Sequence, residues 1–123
     1  LLKHKNTCRI IRRMDIESAS KLFSTLGAAT RLAVFRLLVR QGSNGMVAGD
    51  IAKALDVAPA LLSFHLKALA HAGLVRAEQE GRFQRYHADL PLMLDLVAFL
   101  TAECCADEEA SDCRQRCADG MTP

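Results

Sequence analysis

Apolar and polar residues follow two rhythms along the chain, and the change from one to the other marks the elements. From Met14 the apolar positions recur at helical spacing, with Ile16, Ala19, Leu22, Phe23 and Leu26 on one stripe and Gly27 as the stop. A second helix is predicted over residues 28–40. It buries Leu32, Phe35, Leu38 and Val39 and turns Arg36 and Arg40 outward, and the run Gln41-Gly42-Ser43-Asn44-Gly45 ends it with turn chemistry. Asp50-Ile51-Ala52-Lys53-Ala54-Leu55 makes a short helix, and Asp56-Val57-Ala58 connects it tightly to a helix over residues 59–72 with Pro59 in its first turn. Gly73 closes that helix at a position that favours a left-handed residue. The rhythm then becomes period two over residues 74–79 and 82–87, a hairpin turning around Glu80-Gly81. Asp89 caps a last helix with Pro91 in its first turn, apolar almost all round: Leu92, Met93, Leu94, Leu96, Val97, Phe99 and Leu100.

This order predicts a mainly α (α+β) fold: a winged helix-turn-helix of about five helices and a two-stranded β-wing. It divides the chain into an N-terminal arm (1–13), a DNA-binding and dimerisation domain (14–105) and an acidic, cysteine-containing tail (106–123). A helix that is apolar on all sides must be covered on more than one side. A second copy of the chain can provide that cover, with the first helix as the other contributor to a two-fold interface. The expected interface residues are Leu22, Leu26, Leu92, Leu96 and Phe99. The alternative is that the last helix simply fills the protomer core.

Charge sharpens the division. Residues 1–100 carry 14 basic and 8 acidic side chains, whereas residues 101–123 carry 2 and 6, so a body of +6 bears a tail of −4. The five cysteines divide similarly, Cys8 alone near the start and Cys104, Cys105, Cys113 and Cys117 together near the end. No apolar run approaches the roughly 18 residues of a membrane span, because Arg31, Arg36 and Arg40 interrupt one candidate and Asp95 the other. No membrane partner is expected. The first 13 residues lack the pattern of a secretory leader, so the expected location is the cytoplasm, where clustered cysteines serve as metal ligands or redox thiols rather than disulfides.

The segment Ser63-Phe64-His65-Leu66-Lys67-Ala68-Leu69, then Ala72-Gly73-Leu74-Val75, Glu80-Gly81-Arg82 and Tyr86, resembles the ArsR/SmtB family of metal-responsive repressors. Ala29-Thr30-Arg31-Leu32 is similar to that family's second-helix opening, and the resemblance covers about residues 16–101. It implies a homodimer on double-stranded operator DNA and no enzymatic activity. The wheel of the 59–72 helix agrees: Leu62, Leu66 and Leu69 share the inward face, while Ala60, Ser63, Phe64, Lys67 and His71 project outward or to the flank. Ser63 can hydrogen-bond a base edge or phosphate, and Lys67 can neutralise a phosphate. Phe64 either contacts a thymine methyl or packs against the wing or the preceding helix. His65 lies beside the inward stripe, which suits a hydrogen-bonded, partly buried histidine better than a base reader. Arg82 at the wing tip is the foremost wing contact, with Arg85 and Arg76 behind it. The candidate DNA-binding set is therefore Pro59, Ala60, Ser63, Phe64, His65, Lys67, Arg82 and Arg85. Ala58-Pro59-Ala60 departs from the polar residues many family members carry there.

Two metal sites of the family are absent from this sequence. Residues 46–52, around the helix before the turn, hold no thiol, and Asp89, Asp95 and Glu103 lack histidine partners on the last helix. The ending resembles the arsenic-responsive branch, whose site follows the last helix. That resemblance implies As(III) or Sb(III) as inducer, since these soft ions favour three thiolates. Cys104, Cys105 and Cys113 form the leading triad, with Cys117 as substitute or fourth ligand. Four thiolates would suit zinc or cadmium, and thiol oxidation is a further input. A thiol-dependent arsenate reductase is the enzymatic alternative, disfavoured because no phosphate-cradling loop or nearby cation lowers a thiol pKa. Nothing near Cys8 supplies a second ligand.

Overall fold

The computed structural model describes residues 14–104, 106 and 107. The Asp15 carboxylate opens helix α1 (Ile16–Leu26) by accepting the Ser18 amide at 2.7 Å, a bond that holds the Asp15 carboxyl below its ordinary range. Gly27 ends α1, and α2 (Ala29–Gln41) runs into a single 3-10 turn over Gly42–Asn44. Strand β1 (Met46–Val47), helix α3 (Ala48–Leu55), helix α4 (Pro59–His71), strands β2 (Val75–Glu80) and β3 (Phe83–Ala88) and helix α5 (Leu90–Thr101) complete the order. Five helices and a winged helix-turn-helix are as the sequence predicts. The sheet, however, has three antiparallel strands in the order β1-β3-β2, with Met46 opposite Tyr86 and Val47 opposite Arg85. A two-residue strand has no alternation to read, so only its pairing with β3 reveals it. The hairpin register pairs Val75 with Ala88 and Glu80 with Phe83, which places the turn at Gly81-Arg82, one residue later than the pattern suggests.

The core is built where helix faces converge: Ala19 and Leu22 of α1, Val34, Phe35 and Leu38 of α2, Ile51 and Ala52 of α3, and Leu62, Leu66 and Leu69 of α4. Leu74, Val75 and Leu96 close it from the hairpin and α5. The buried face of α2 is rotated from the predicted one, with Leu32 and Val39 exposed and Val34 buried. Residues 32–39 are apolar at every position but Arg36, so periodicity alone cannot choose between adjacent stripes.

Two of the five expected interface residues are corrected in the same way. Leu22 is buried and Leu96 is only 1% exposed, both within the protomer. They have almost no surface left to offer a partner. Leu26, Leu92 and Phe99 pack in part against the same core.

Asp89 starts α5 as expected, its Oδ1 accepting the Leu92 amide at 3.0 Å, with Pro91 in the first turn. Replacing Asp89 with alanine leaves that amide without its side-chain acceptor. The expected loss is about 1 kcal/mol of stability, readable as a lower urea midpoint with an unchanged slope.

Candidate functional site

The α3–α4 unit owes its geometry to one left-handed residue. Asp56 at φ +52° reverses the chain after α3, and the Val57 amide donates to the Ala52 carbonyl at 3.0 Å. Pro59 then begins α4 at the one position where a missing N–H costs nothing. With Leu62, Leu66 and Leu69 buried, steps of about 100° per residue send Phe64 and Ala60 to the opposite pole of α4 and Ser63 and Lys67 to one side of it. All four are exposed, and Phe64 keeps 63% of its surface in solvent instead of packing on the wing. His65 is half-buried beside the core. Its ring stands edge-on to Phe64 at 5.4 Å, and its buried Nδ1 has no hydrogen-bond partner.

The wing is stiffened at its tip. Gly81 adopts φ +59° in the two-residue turn, Gln79 donates to the Gly81 carbonyl at 2.7 Å, and Gln84 donates to Gln79 at 2.6 Å. Arg82 is exposed on that turn. It shares a cleft of about 320 Å³ with Pro59, Ser63, Phe83 and Gln84, so the structure brings the start of α4 and the wing tip to one surface.

Arg85 lies behind Arg82 on the wing strand, as expected, with its guanidinium bonded within the protomer. Its Nε donates to Glu80 at 2.7 Å and its Nη1 to the Asn44 carbonyl at 3.0 Å. The bond to Glu80 pushes the guanidinium pKa further up and cancels much of its field. Arg85 thus ties the 3-10 turn to the sheet, which leaves Lys67 and Arg82 as the exposed cations of this surface. A residue that the sequence pattern did not single out lies two positions along the same strand. His87 is buried on β3, its Nε2 3.2 Å from Glu78 Oε1, and its Nδ1 faces the backbone of Gly45. An outward-reading strand pattern hides such a histidine, because period two cannot say which strand face the core covers.

The second feature is α5, which is apolar on two opposite sides. One packs inward through Leu92, Leu96 and Phe99, while Leu90, Leu94, Val97 and Leu100 stay exposed. On α1, Ile16 and Phe23 are exposed as well. This two-sidedness is what an all-round apolar helix signals in sequence. Three residues beyond the end of α5, the Cys104 amide donates to the Thr101 carbonyl at 3.1 Å and the side chain is exposed. Cys8, Cys105, Cys113 and Cys117 lie outside the described residues, as do the arm over residues 1–13 and the acidic tail from residue 108. Among the described residues, no group of three histidine, cysteine or acidic side chains could hold a metal ion, and no single helix is long and apolar enough to cross a membrane.

Residues 26–78 match the model of a helix-turn-helix domain family. An uncharacterized helix-turn-helix-type transcriptional regulator of Methanocaldococcus jannaschii is 35% identical over 71 residues, which cover 58% of this chain and 78% of the relative. Among solved structures, the homodimeric winged helix-turn-helix DNA-binding domain of a possible ArsR-family regulator from Mycobacterium bovis superposes with a TM-score of 0.57. It is 28% identical over 72% of this chain and 82% of its own. An ArsR-like transcriptional regulator from Rhodococcus sp. RHA1 matches with a TM-score of 0.62, 24% identity and coverage of 84% and 89%, a likeness of fold.

Proposed function

Because the chain belongs to the helix-turn-helix transcriptional regulators, we propose that it is a metalloid-responsive repressor of the ArsR type that binds operator DNA as a homodimer and releases it when tail thiolates bind As(III) or Sb(III). A DNA-binding regulator of this kind belongs to no enzyme class. The observation that carries the reading is the situation of α5, one helix whose outer face is apolar and whose end runs within three residues into Cys104.

The outer face supports dimerisation. Covering the four half-exposed apolar side chains of α5 contributes roughly 1 kcal/mol each, about half of the value for a side chain buried from full exposure. A two-fold pair of protomers presents two α4 helices, and successive major grooves on one face of B-DNA lie about 34 Å apart. Ser63, Lys67 and Arg82 then meet base edges and phosphates, with Pro59 at the start of α4 close to the backbone. Release of condensed counterions makes this binding weaken steeply as salt rises.

The thiols supply the input. Cys104, Cys105, Cys113 and Cys117 offer sulfur without histidine, the donor set that soft trivalent ions prefer. Drawing the end of α5 into a pyramid of thiolates displaces the interface helix and with it the spacing of the two α4 helices. Only a ligand with unequal affinity for the two dimer forms can act in this way, and typical couplings correspond to about a 5- to 150-fold change in DNA affinity.

The variant carrying Cys104→Ser and Cys105→Ser tests the assignment. In a gel shift on the DNA upstream of its own gene, it is expected to bind as the parent does and to stay bound when arsenite is added. Release of the variant by arsenite would contradict the site. Release of the parent by peroxide, or by zinc or cadmium, but not by arsenite would replace the inducer.

A further inference from the structure

The exposed face of α4 has an unusual chemistry for a helix that reads DNA. Its sequence, Pro59-Ala60-Leu61-Leu62-Ser63-Phe64-His65-Leu66-Lys67-Ala68-Leu69-Ala70-His71, contains no arginine, asparagine, glutamine, aspartate or glutamate. Arginine forks onto guanine, asparagine and glutamine onto adenine, and carboxylates accept from cytosine. Of the polar side chains that read bases, this face keeps only Ser63 and Lys67, both to one side of Phe64. What stands at the outer pole is Phe64, 63% exposed, with Ala60 one turn before it and Leu61, half exposed, at its flank.

Among the described residues no core position accounts for Phe64: the buried stripe of α4 runs along the opposite side, and the ring stands edge-on to His65 with most of its surface in solvent. The same surface carries Ser63 and Lys67 beside Phe64 and Arg82 across the cleft from α4, and its exposed cations match a phosphate backbone. The apolar pole is therefore continuous with the surface proposed for DNA and flanked by cations. In the major groove one base edge is apolar, the C5-methyl of thymine, for which phenylalanine and alanine are suitable contacts.

We propose that Phe64, flanked by Ala60 and Leu61, reads thymine methyl groups in the major groove, so that the operator half-site is defined by thymines more than by hydrogen-bonded bases. Ser63 and Lys67 position the helix, and Phe64 determines specificity. The proposal rests on the reading of α4 as the DNA-contacting helix.

The test begins with the full chain selecting duplexes from a random-sequence library. The recovered duplex is then titrated by fluorescence anisotropy at fixed salt, each thymidine replaced in turn by deoxyuridine, which removes only the methyl. Recovered half-sites are expected to carry thymines on either strand where α4 lies. Loss of each contacted methyl should weaken binding by about fourfold, from the transfer free energy of one buried carbon. Phe64→Ala should bind the thymidine duplex more weakly and show no further loss with deoxyuridine, while Phe64→Leu keeps part of the difference. Because Phe64 is exposed, both variants should fold, as circular dichroism will verify. Indifference of the parent protein to deoxyuridine at every position overturns the proposal, as does a full deoxyuridine loss in Phe64→Ala. Failure to recover any duplex would contradict the DNA-binding reading itself, and this proposal with it.

Discussion

Replacing both Leu94 and Val97 with aspartate is expected to turn the dimer into a folded monomer that no longer holds its operator. The two side chains are 49% and 51% exposed and lie three residues apart on the outer side of α5, so neither supports the protomer core. In a dimer the same positions are dehydrated. Four carboxylates brought together across a two-fold axis then cost several kcal/mol each in lost hydration, with no cation supplied to pair them. Sedimentation should show the monomer mass, and circular dichroism an unchanged helical signal. DNA affinity should fall by about 10²- to 10⁴-fold, because the second half-site contact ceases to be intramolecular. A dimer that survives both substitutions would place the interface elsewhere. The inward residues Leu22 and Leu96 make poor probes for this purpose, since changing them opens the protomer core.

Gly45→Ala is expected to cause the largest loss of stability from a single methyl group. Gly45 joins the 3-10 turn to β1 at φ +61° and ψ −163°, a region open almost only to glycine. A Cβ there would lie 2.5 Å from the Tyr86 carbonyl oxygen and 2.6 Å from His87 Nδ1. Both neighbours belong to β3, and the nearer one is backbone, so relief requires β1 to move off the sheet. Strain of about 1–3 kcal/mol and overpacking of about 1–3 kcal/mol combine to roughly 3 kcal/mol or more. Gly49→Ala is the matched control. Its Cβ meets nothing within 4 Å and its backbone is helical, so a small gain of up to about 1 kcal/mol is expected. Equal urea midpoints for the two variants would contradict this account of the β1 junction.

Those two positions also show what the sequence can and cannot convey. The run Gln41–Gly45 is legible as a turn from its residue types, but the reason for glycine at 45 lies 41 residues away on β3. The Gly27 stop of α1, the Asp89 cap of α5, the sharp α3–α4 connection and the inward stripe of α4 follow from local chemistry and periodicity, and the structure has them where the pattern predicts. The stripe of α2 is not decidable in that way, because its apolar residues are nearly continuous and tertiary packing selects Val34 over Leu32. The same ambiguity affects α5. A helix apolar all round announces two covered faces without saying which belongs to the protomer, and packing puts Leu96 in the core while Leu94 stays exposed. Arg85 is a further instance: its charge is visible in sequence, while its commitment to Glu80 and Asn44 depends on strand register.

Likeness to helix-turn-helix regulators gives the regulator family, and the proposed inducer follows from the thiols that come after α5 in the sequence. The most direct measurement is a fluorescence anisotropy titration of the reduced, full-length protein on a labelled duplex from upstream of its own gene, at one salt concentration, with and without arsenite. A thiolate-gated dimeric repressor gives two protomers per duplex without arsenite, and an affinity about 5- to 150-fold weaker once arsenite is bound. An affinity unchanged while the protein retains arsenite would contradict it.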